Sequence, residues 1–370
     1  MKIGILGGGQ LGRMFIQNAL NYDDEFHVLD PNSDCSCAYI SHFSQGNFNN
    51  YEDVLAFGQD KDVISIEIEH VNVDALFELE KQGKKVIPNA EIIKTIQQKI
   101  LQKEFYKKHN IPSPDFEIFD GTSDEIKIEF PFVQKLNTGG YDGKGVQIIK
   151  NADDLKNLWV EDSVLENLVD IDKELSIIIA RNENGETKTF PVTEMVADEK
   201  LNLLDFNICP ADISSEVQSQ IDEIAEKFIS AANSAGLFAI ELFVDQDGEI
   251  LVNETAPRVH NSGHHTIEAN YCSQYDMLLR IILDYPLGNP APILSSAIVN
   301  LIGAEGFNGD VVYEGLDEVL KIENVFVHLY GKTTTKPGRK MGHVTIMSND
   351  YQDLTHKANK IKHTLKVISK

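Results

Sequence analysis

The stretch Lys2-Ile3-Gly4-Ile5-Leu6-Gly7-Gly8-Gly9-Gln10-Leu11-Gly12 places a glycine loop between an apolar strand pattern and a helix pattern. It satisfies G-x-G-x-x-G, and Asp30 follows at the end of the next predicted strand, near the offset of about 20 residues expected of a ribose ligand. Glycines at such a turn let backbone N–H groups and a helix N-terminus approach an anion. The loop therefore predicts an anion site, for a dinucleotide or, because Arg13 follows, for a compact phosphate monoester. The alternative is a strand-to-helix turn that needs glycines for its own geometry.

The ninety residues around this loop alternate between strand and helix signals. Such alternation is typical of a parallel sheet with helices on both faces, and we predict a Rossmann-like α/β domain over residues 1–95. A Lys-rich helix at Gln97–His109 ends before Pro112 and Pro114, which mark the first domain boundary. The predicted strands are Lys2–Leu6, Phe26–Leu29, Val63–Ile68 and Val86–Ile87, and the predicted helices are Leu11–Asn21 and Val73–Gln82.

Beyond these prolines the predicted elements become shorter and are more often strands. We predict a small α+β unit over residues 96–167 and a mixed α+β domain, β-rich toward its end, over residues 168–370. The helix at Ser215–Ala235 carries an apolar face, and Gly236 ends it. The other predicted strands are Pro131–Lys135, Val146–Ile149, Ser163–Glu166, Leu175–Arg181 and Thr187–Val192, with a hairpin at Phe238–Glu254 and helices near Ala152–Asn157 and Gln274–Leu283.

Composition limits the classes of partner. The 370 residues include 33 Lys and Arg against 58 Asp and Glu, a formal net charge of -25. Because nucleic-acid binding needs a basic surface, we expect no nucleic-acid partner. No apolar run approaches the roughly 20 residues that span a bilayer, and the N-terminus turns into glycines before it could serve as a signal peptide. Four cysteines form no disulfide framework, which favours reduced thiols in a cytoplasmic protein.

A second glycine loop, Lys135-Leu136-Asn137-Thr138-Gly139-Gly140-Tyr141-Asp142-Gly143-Lys144-Gly145-Val146, connects two predicted strands. Lys135 lies at the end of the first strand and Lys144 within the loop, so backbone amides and ammonium groups can close over a polyphosphate. The loop is not a Walker A motif, since no helix follows and G-K-[ST] is absent from it. The alternative is a glycine-rich surface hairpin.

Two glutamates flank the predicted hairpin turn at Asp247-Gly248. If this turn has two residues, Glu241 lies directly opposite Glu254 on one face of the hairpin. Facing Cβ atoms are about 4.5–5.5 Å apart, where like charges oppose pairing unless a cation such as Mg²⁺ joins them. A bulged turn would shift the register and separate the pair, and the alternative is two solvated glutamates.

Polar and basic residues are concentrated in two further stretches. Glu254–Thr266 carries hydrogen-bond donors at almost every second position, which predicts an anion-binding loop, and its three histidines fit the spacings of zinc ligands poorly. Lys332 and the turn Lys336-Pro337-Gly338-Arg339-Lys340-Met341-Gly342-His343 predict a phosphate clamp. The alternative for this turn is a solvated charged surface.

The first loop with Arg13 and Met14, together with Gly139–Gly145, Asn253–His264 and Pro337–His343, resembles the 5-(carboxyamino)imidazole ribonucleotide synthetases, ATP-grasp ligases of purine synthesis. The resemblance covers nearly the whole chain and implies a three-domain ATP-grasp fold with 96–167 as the central lid domain. It implies that ATP, with Mg²⁺ or Mn²⁺, phosphorylates bicarbonate to carboxyphosphate. The CO2 released from it would carboxylate the amine of 5-aminoimidazole ribonucleotide, leaving ADP and phosphate. The family is commonly dimeric.

The resemblance also implies roles for individual residues. Glu241 and Glu254 match the family's metal ligands. Arg258, His260 and Lys332 match residues near the reacting groups. The implied ATP contacts are Lys99, Lys135, Gly140, Tyr141, Asp142, Gly143, Lys144, Gly145, Val146, Glu166, Asn167, Leu168, Val169, Glu174, Asn253 and Glu254, and the implied ribonucleotide contacts are Gln10, Leu11, Glu69, Arg258, His260, Asn261, Lys332, Arg339 and Lys340.

Three positions depart from the family pattern. Lys99 and Lys336 stand where the family commonly has Arg, which keeps the charge but loses the planar guanidinium. Ala197 stands where the family usually has a His on the nucleotide side. The alternatives in function are another purine-pathway ATP-grasp ligase such as a formate-dependent glycinamide ribonucleotide transformylase, a Rossmann oxidoreductase built on Gly7–Gly12 and Asp30, and a non-catalytic nucleotide sensor.

Overall fold

A parallel five-stranded sheet forms the N-terminal part of the computed structural model, which describes residues 1–122, 126–140, 145–198 and 203–370. Its elements in chain order are β1 (Lys2–Leu6), α1 (Gln10–Ala19), β2 (Glu25–Asp30), β3 (His42–Gln45), α2 (Tyr51–Gly58), β4 (Val63–Ile66), α3 (Val73–Lys81), β5 (Lys85–Ile87) and α4 (Ala90–Gln97). The strand order β3-β2-β1-β4-β5, with these pairs parallel, confirms the predicted Rossmann-like arrangement. The carboxyl ends of β1 and β4 therefore lie side by side.

Parts of this region differ from the sequence-based expectations. The patterns do not predict β3, an edge strand of four mostly exposed residues, or the eight-residue helix α2. The prediction of a helix over Gln97–His109 is wrong at its start, because Gln98 is extended (φ -117°, ψ 116°) and separates α4 from α5 (Lys99–Lys108). The amide of Lys99 then donates to Asn137 O at 2.9 Å, which joins the start of α5 to the second glycine loop.

An antiparallel four-stranded sheet follows in the chain. Its strands are β6 (Phe116–Phe119), β7 (Phe132–Leu136), β8 (Val146–Ile149) and β9 (Ser163–Asn167), in the order β6-β9-β7-β8. The predicted helix at Ala152–Asn157 is a 3-10 helix. The second glycine loop joins β7 to β8, and its residues 141–144 lie outside the described residues.

The remaining chain forms a sheet of nine described strands. Its elements in chain order are β10 (Ile171–Arg181), β11 (Thr187–Thr189), β12 (Thr193–Asp198), β13 (Leu203–Cys209), α6 (Ser215–Ala232), β14 (Gly236–Asp245), β15 (Ile250–Ala256), a 3-10 turn (Asn261–Gly263), α7 (Thr266–Ala269), α8 (Gln274–Ile282), β16 (Ser296–Ile302), β17 (Gly309–Glu314), α9 (Leu316–Val319), β18 (Val325–Leu329), β19 (Thr334–Thr335), β20 (Lys340–Met347), α10 (Tyr351–Thr364) and β21 (Lys366–Ser369). The order is β15-β14-β10-β12-β13-β16-β20-β18, with β11 on β10, while β19, β17 and β21 form a separate small sheet.

Helices α6 and α8 cover opposite faces of the β10–β14 pair. Phe228 of α6 belongs to one hydrophobic cluster with Ile177, whereas Leu278 of α8 clusters with Ile178 and with Phe15 of α1. The N-terminal sheet and the nine-stranded sheet consequently share one core through α1 and α8. The predictions that α6 ends at Gly236 and that the strand at Thr187 reaches Val192 are wrong: α6 ends before left-handed Asn233 (φ 45°), and β11 ends at Thr189. None of the helices within the described ranges is long and apolar enough to cross a membrane.

The β14–β15 hairpin differs from the predicted two-residue turn, yet the predicted glutamate pair is present. Asp245 N–H donates to Glu249 O at 3.0 Å, so three residues form the turn, with Gly248 at φ 83°. This turn moves the register by one residue, and an irregularity at Asn253 moves it back. Glu241 and Glu254 are therefore register partners. The division of the chain at 95 and 167 stays a prediction.

Candidate active site

The two glutamates of the β14–β15 hairpin lie at the centre of the candidate site. Lys99 Nζ lies 2.6 Å from Glu254 Oε2, and this ammonium lowers the pKa of Glu254. Burial, together with the negative charge of Glu254, raises the pKa of Glu241. Asn253 Nδ2 lies 3.5 Å from Glu241 Oε2, which adds an amide to the same group. The two facing carboxylates provide the hard oxygen donors that a Mg²⁺ ion takes from proteins.

Two lysines share the buried carboxylate of Glu166. Lys135 Nζ lies 2.9 Å from Glu166 Oε2 and donates to Asn253 Oδ1 at 2.8 Å, while Lys103 Nζ lies 3.4 Å from Glu166 Oε2. Burial lowers the pKa of Lys103 to about 8. Burial would raise the pKa of Glu166, but the charges of Lys135 and Lys103 outweigh it and lower this pKa. Lys135 therefore joins β7 of the four-stranded sheet to β15 of the large sheet, beside the carboxylate pair.

The other residues predicted to contact ATP belong to the connection between β7 and β8, to the end of β9 and to β10. Asn167, Leu168 and Val169 connect the end of β9 to β10, where Leu168 is exposed. Glu174 of β10 is half-buried, and burial raises its pKa. Gly145 accepts from Leu136 N–H at 2.9 Å through its carbonyl and precedes Val146 of β8, whereas the predicted lid residues at 141–144 lie outside the described part of the chain. Gly140 precedes those residues.

Arg258 and His260 connect the carboxylate pair to the N-terminal sheet. Arg258 Nη2 lies 2.5 Å from Glu69 Oε1, and both side chains are largely buried. His260 Nε2 lies 3.3 Å from Glu241 Oε1. Because Glu69 follows β4 and Arg258 follows β15, this ion pair brings the carboxyl edge of the parallel sheet against the predicted anion-binding loop.

The amides of the first glycine loop bind carboxylates of the protein itself. Gly8 N–H donates to Asp30 Oδ2 at 2.8 Å, and Leu11 N–H donates to Glu67 Oε1 at 3.1 Å. In the described structure these two amides are therefore paired with the protein's own carboxylates, and Asp30 helps to close the loop, while an anion site at this loop stays a prediction. Burial raises the pKa of Glu67 to about 7. Leu11 itself is 7% exposed and packs in the core.

The predicted ribonucleotide contacts come from both the N-terminal sheet region and the C-terminal part of the chain. Lys332 Nζ donates to Gln10 Oε1 at 3.0 Å and to Lys340 O at 2.7 Å. The C-terminal basic segment, residues 332–343, therefore contacts the start of α1. Arg339 Nη1 donates to Thr334 O at 2.7 Å, within the segment. Asn261 is buried and donates to Asn300 Oδ1 at 2.8 Å. The structure thus joins Lys332 and Lys340 to Gln10, while the described hydrogen bonds of Arg339 and Asn261 stay within the C-terminal part.

Sequence reasoning missed two buried ionisable residues at this site. Lys103 follows Lys99 by four residues on α5, and that spacing could have indicated a second lysine on the same helix face. Glu67 directly follows the fully buried strand β4, where a carboxylate needs a partner, and this position could have indicated a structural role. The Ala197 side chain lies outside those the structure describes.

Family models match three consecutive parts of the chain. Residues 1–97 match the ribonucleotide synthetase preATP-grasp domain, residues 104–275 the ATP-grasp domain, and residues 296–357 the phosphoribosylaminoimidazole carboxylase C-terminal domain. The second match spans the four-stranded sheet and continues through β15 of the large sheet, and the third begins at β16. The fold and the lysine–carboxylate site thus define an ATP-grasp ligase.

Individual relatives narrow this class. The chain is 34% identical to N5-carboxyaminoimidazole ribonucleotide synthase of Staphylococcus aureus (strain COL), over 94% of this chain and 93% of that protein. N5-carboxyaminoimidazole ribonucleotide synthetase from Thermotoga maritima superposes with a TM-score of 0.92 at 40% identity, covering 100% of this chain and 99% of that one. The Aspergillus clavatus synthase in complex with ADP and 5-aminoimidazole ribonucleotide superposes with a TM-score of 0.89 at 30% identity, covering 98% of both chains.

Some curated relatives are longer than this chain. The chain spans 69% of the phosphoribosylaminoimidazole carboxylase of Ogataea methanolica, to which it is 33% identical. The two synthetases of matching length from Staphylococcus aureus and Thermotoga maritima are 34% and 40% identical to this chain, and the match covers at least 93% of each protein. The chain belongs to the N5-carboxyaminoimidazole ribonucleotide synthase family.

Proposed function

We propose that the chain carboxylates 5-aminoimidazole ribonucleotide to N5-carboxyaminoimidazole ribonucleotide in purine biosynthesis, using ATP and bicarbonate and releasing ADP and phosphate. The observation that carries the proposal is the junction at which Glu241 contacts His260, and Arg258 contacts Glu69. A nucleotide at the lysines and a ribonucleotide at the C-terminal basic segment would meet at this junction. The relative from Aspergillus clavatus, solved with ADP and 5-aminoimidazole ribonucleotide, supports the same pair of ligands.

For the nucleotide, we propose that Lys99 and Lys135 bind the ATP phosphates, with Gly140–Val146 as the lid and Glu166–Val169 and Glu174 at the base and ribose. In the described structure each of these lysines contacts a carboxylate, at 2.6 Å for Lys99 and 2.9 Å for Lys135. A polyphosphate would compete for both ammonium groups. The two ammonium groups are therefore already oriented before ATP binds. Such prior orientation of charged groups lowers the barrier of the reaction.

For the metal, we propose Mg²⁺, or Mn²⁺, at Glu241 and Glu254. The donor set fits, because the two carboxylates are register partners on neighbouring strands. A bound divalent cation would neutralise phosphate charge. Burial and the negative charge of Glu254 both raise the pKa of Glu241, and a cation bound between the two carboxylates would oppose both effects.

The remaining chemistry is the formation and use of carboxyphosphate, which hydrolyses easily. We propose that Arg258 and His260 hold its anionic oxygens, and that Gln10, Leu11, Glu69, Asn261, Lys332, Arg339 and Lys340 line the ribonucleotide site. Arg258 is held by Glu69 and lies 18% exposed, so the group most suited to a carboxylate is largely shielded from water. Excluding water protects the intermediate and strengthens each charge interaction.

A coupled ADP-release assay tests this function. We expect ADP release that requires both 5-aminoimidazole ribonucleotide and bicarbonate. Turnover with formate and glycinamide ribonucleotide would identify a different purine-pathway ligase, and tight NADH binding without ADP release would identify an oxidoreductase. ATP binding without any turnover would identify a sensor.

Glu254→Ala gives the matching site test, with Glu249→Ala as its control. Both glutamates lie in the same hairpin, but Glu249 is exposed beside the turn. We expect Glu254→Ala to abolish ADP release and Glu249→Ala to leave it unchanged. Equal rates in the two variants would refute the assigned ATP and metal site.

We further propose a cytoplasmic homodimer whose partners are these small molecules, without nucleic acid or membrane. The net charge of -25 supports the exclusion of nucleic acid. Light scattering on the purified chain measures the oligomeric state, and a monomer at micromolar concentration would contradict the dimer.

A further inference from the structure

The imidazole of His260 is held on both of its nitrogens. Nδ1 lies 2.9 Å from Ser262 Oγ and accepts a hydrogen bond from Ser262 N–H at 3.3 Å, while Nε2 lies 3.3 Å from Glu241 Oε1. A backbone N–H can only donate, so Nδ1 must offer its lone pair. A neutral imidazole that accepts at Nδ1 carries its proton on Nε2.

A second serine extends this hydrogen-bond network. Ser176 Oγ lies 2.8 Å from Ser262 Oγ, and both side chains are buried at 1% exposure. When the Ser262 hydroxyl donates to Nδ1, its oxygen is left to accept from the Ser176 hydroxyl. Ser176 lies on β10 directly opposite Glu241 on β14. The series of side chains from Ser176 through Ser262 and His260 to Glu241 therefore begins and ends on the same pair of strands.

The backbone of His260 is fixed by a buried amide. Gln274 Oε1 accepts from His260 N–H at 2.8 Å, and Gln274 Nε2 donates to His260 O at 2.8 Å. Gln274 is fully buried at the start of α8. Because backbone and ring are both restrained, the direction in which Nε2 points is set by the fold.

We propose that Ser262 and Ser176 are positioning residues that hold His260 as the Nε2–H tautomer, so that His260 acts as a hydrogen-bond donor and not as a proton acceptor. The inference rests on the proposed function, since it assigns the part that His260 has in that reaction. A donor beside Arg258 suits an oxygen of an anionic carboxylate or phosphoryl group. The proton that the ribonucleotide amine loses on carboxylation therefore passes to the phosphate released in the same reaction, and not to His260.

The tautomer is measured by nitrogen NMR on the full chain labelled with ¹⁵N-histidine. At pH 8.5, above the ordinary histidine pKa of about 6.5, we expect His260 to show an unprotonated Nδ1 and a protonated Nε2. His260→Asn identifies the signals by their loss. A protonated Nδ1 would overturn the inference.

The role as a donor is tested by substitutions of His260. Gln carries an amide N–H near the place of Nε2 but cannot act as a base, so we expect His260→Gln to keep ADP release within about tenfold of the wild type. We expect His260→Ala to lose about a hundredfold, which is the effect of removing one oriented donor. Equal losses in the two variants would contradict the donor role.

The serines are tested by a double-mutant cycle. We expect Ser262→Ala to lower kcat about tenfold and Ser176→Ala about threefold, with the KM for ATP unchanged. Because Ser176 acts through Ser262, the double variant should be no slower than Ser262→Ala. Ser296→Ala, another serine at 1% exposure in the same sheet, is the control and should keep the wild-type kcat. Multiplying losses, or a Ser262→Ala enzyme at wild-type kcat, would refute the positioning role.

The outcomes separate this inference from the proposed function. An Nε2–H tautomer in a protein without ribonucleotide-dependent ADP release would refute the proposed function and support the tautomer assignment. An Nδ1–H tautomer in an active enzyme would overturn the tautomer assignment and support the proposed function.

Discussion

The two glycine loops of this chain use glycine for different physical reasons. In the first, a Cβ on Gly8 would lie 2.5 Å from Cys35 Sγ, and a Cβ on Gly9 would overlap Glu67 Oε1. In the second, Gly139 has a left-handed backbone (φ 79°), and none of the described residues would lie within 4 Å of a Cβ there. The first loop is closed around the protein's own carboxylates, whereas no described residue crowds Gly139 in the second. A glycine pattern therefore does not by itself distinguish a close approach of other groups from a left-handed backbone.

Removal of the lysine at the start of the second loop should have the largest effect. We expect Lys135→Ala to lower ADP release at least a hundredfold, since one oriented cation at a developing charge contributes about 3 kcal/mol or more. Urea unfolding should show a stable fold, because Lys103 still neutralises Glu166. Lys150→Ala, an exposed lysine after β8, is the control. A rate of ADP release by Lys135→Ala within threefold of the wild type would contradict the interpretation that the second loop, unlike the first, serves the ligand.

A side chain in the first loop should act on stability. We expect Gly9→Ala to lower the free energy of unfolding by about 1–3 kcal/mol, because the new methyl group displaces the Glu67 carboxylate from the amide that it satisfies. Urea denaturation of both proteins at pH 7.5 measures the difference. An unchanged midpoint would show that Glu67 does not close this loop.

The buried carboxylate also predicts a pH dependence. Burial raises the pKa of Glu67 from 4.5 to about 7, so between these values the folded protein binds the proton more tightly than the unfolded chain. Stability from this group therefore falls as pH rises from 4.5 to 7, by at most about 1.4 kcal/mol per pH unit. Glu67→Gln should remove this dependence. Parallel pH profiles of unfolding free energy for the two proteins would contradict the assignment.

The smallest effect is expected at the open loop. We expect Gly139→Ala to cost about 1 kcal/mol, from the left-handed backbone alone, because space is available for its methyl group. The unfolding free energy measured beside that of Gly9→Ala gives the comparison. A larger loss for Gly139→Ala than for Gly9→Ala would reverse our interpretation of the two loops.

The glutamate pair shows how a sequence-based prediction can be right for an incomplete reason. The predicted two-residue turn places Glu241 opposite Glu254, and the structure confirms that pairing. The turn has three residues, however, and only the irregularity at Asn253 restores the register. A turn sequence does not contain this information. Asn253, at the irregularity, contacts Glu241 on β14 and Lys135 on β7, which lie 12 and 118 residues away in the chain.

Most of the N-terminal strands and helices, the parallel sheet that they form and the family motifs were determined by the sequence itself, because period and turn chemistry are local properties. The partner of each charge was decided only by the tertiary structure. Lys99 and Glu254 are 155 residues apart in the chain and 2.6 Å apart in space. Glu67 reaches Leu11 across 56 residues. Electrostatic interaction depends on distance in space and on burial, so the first glycine loop could be located by its pattern, but the carboxylate that closes it could not.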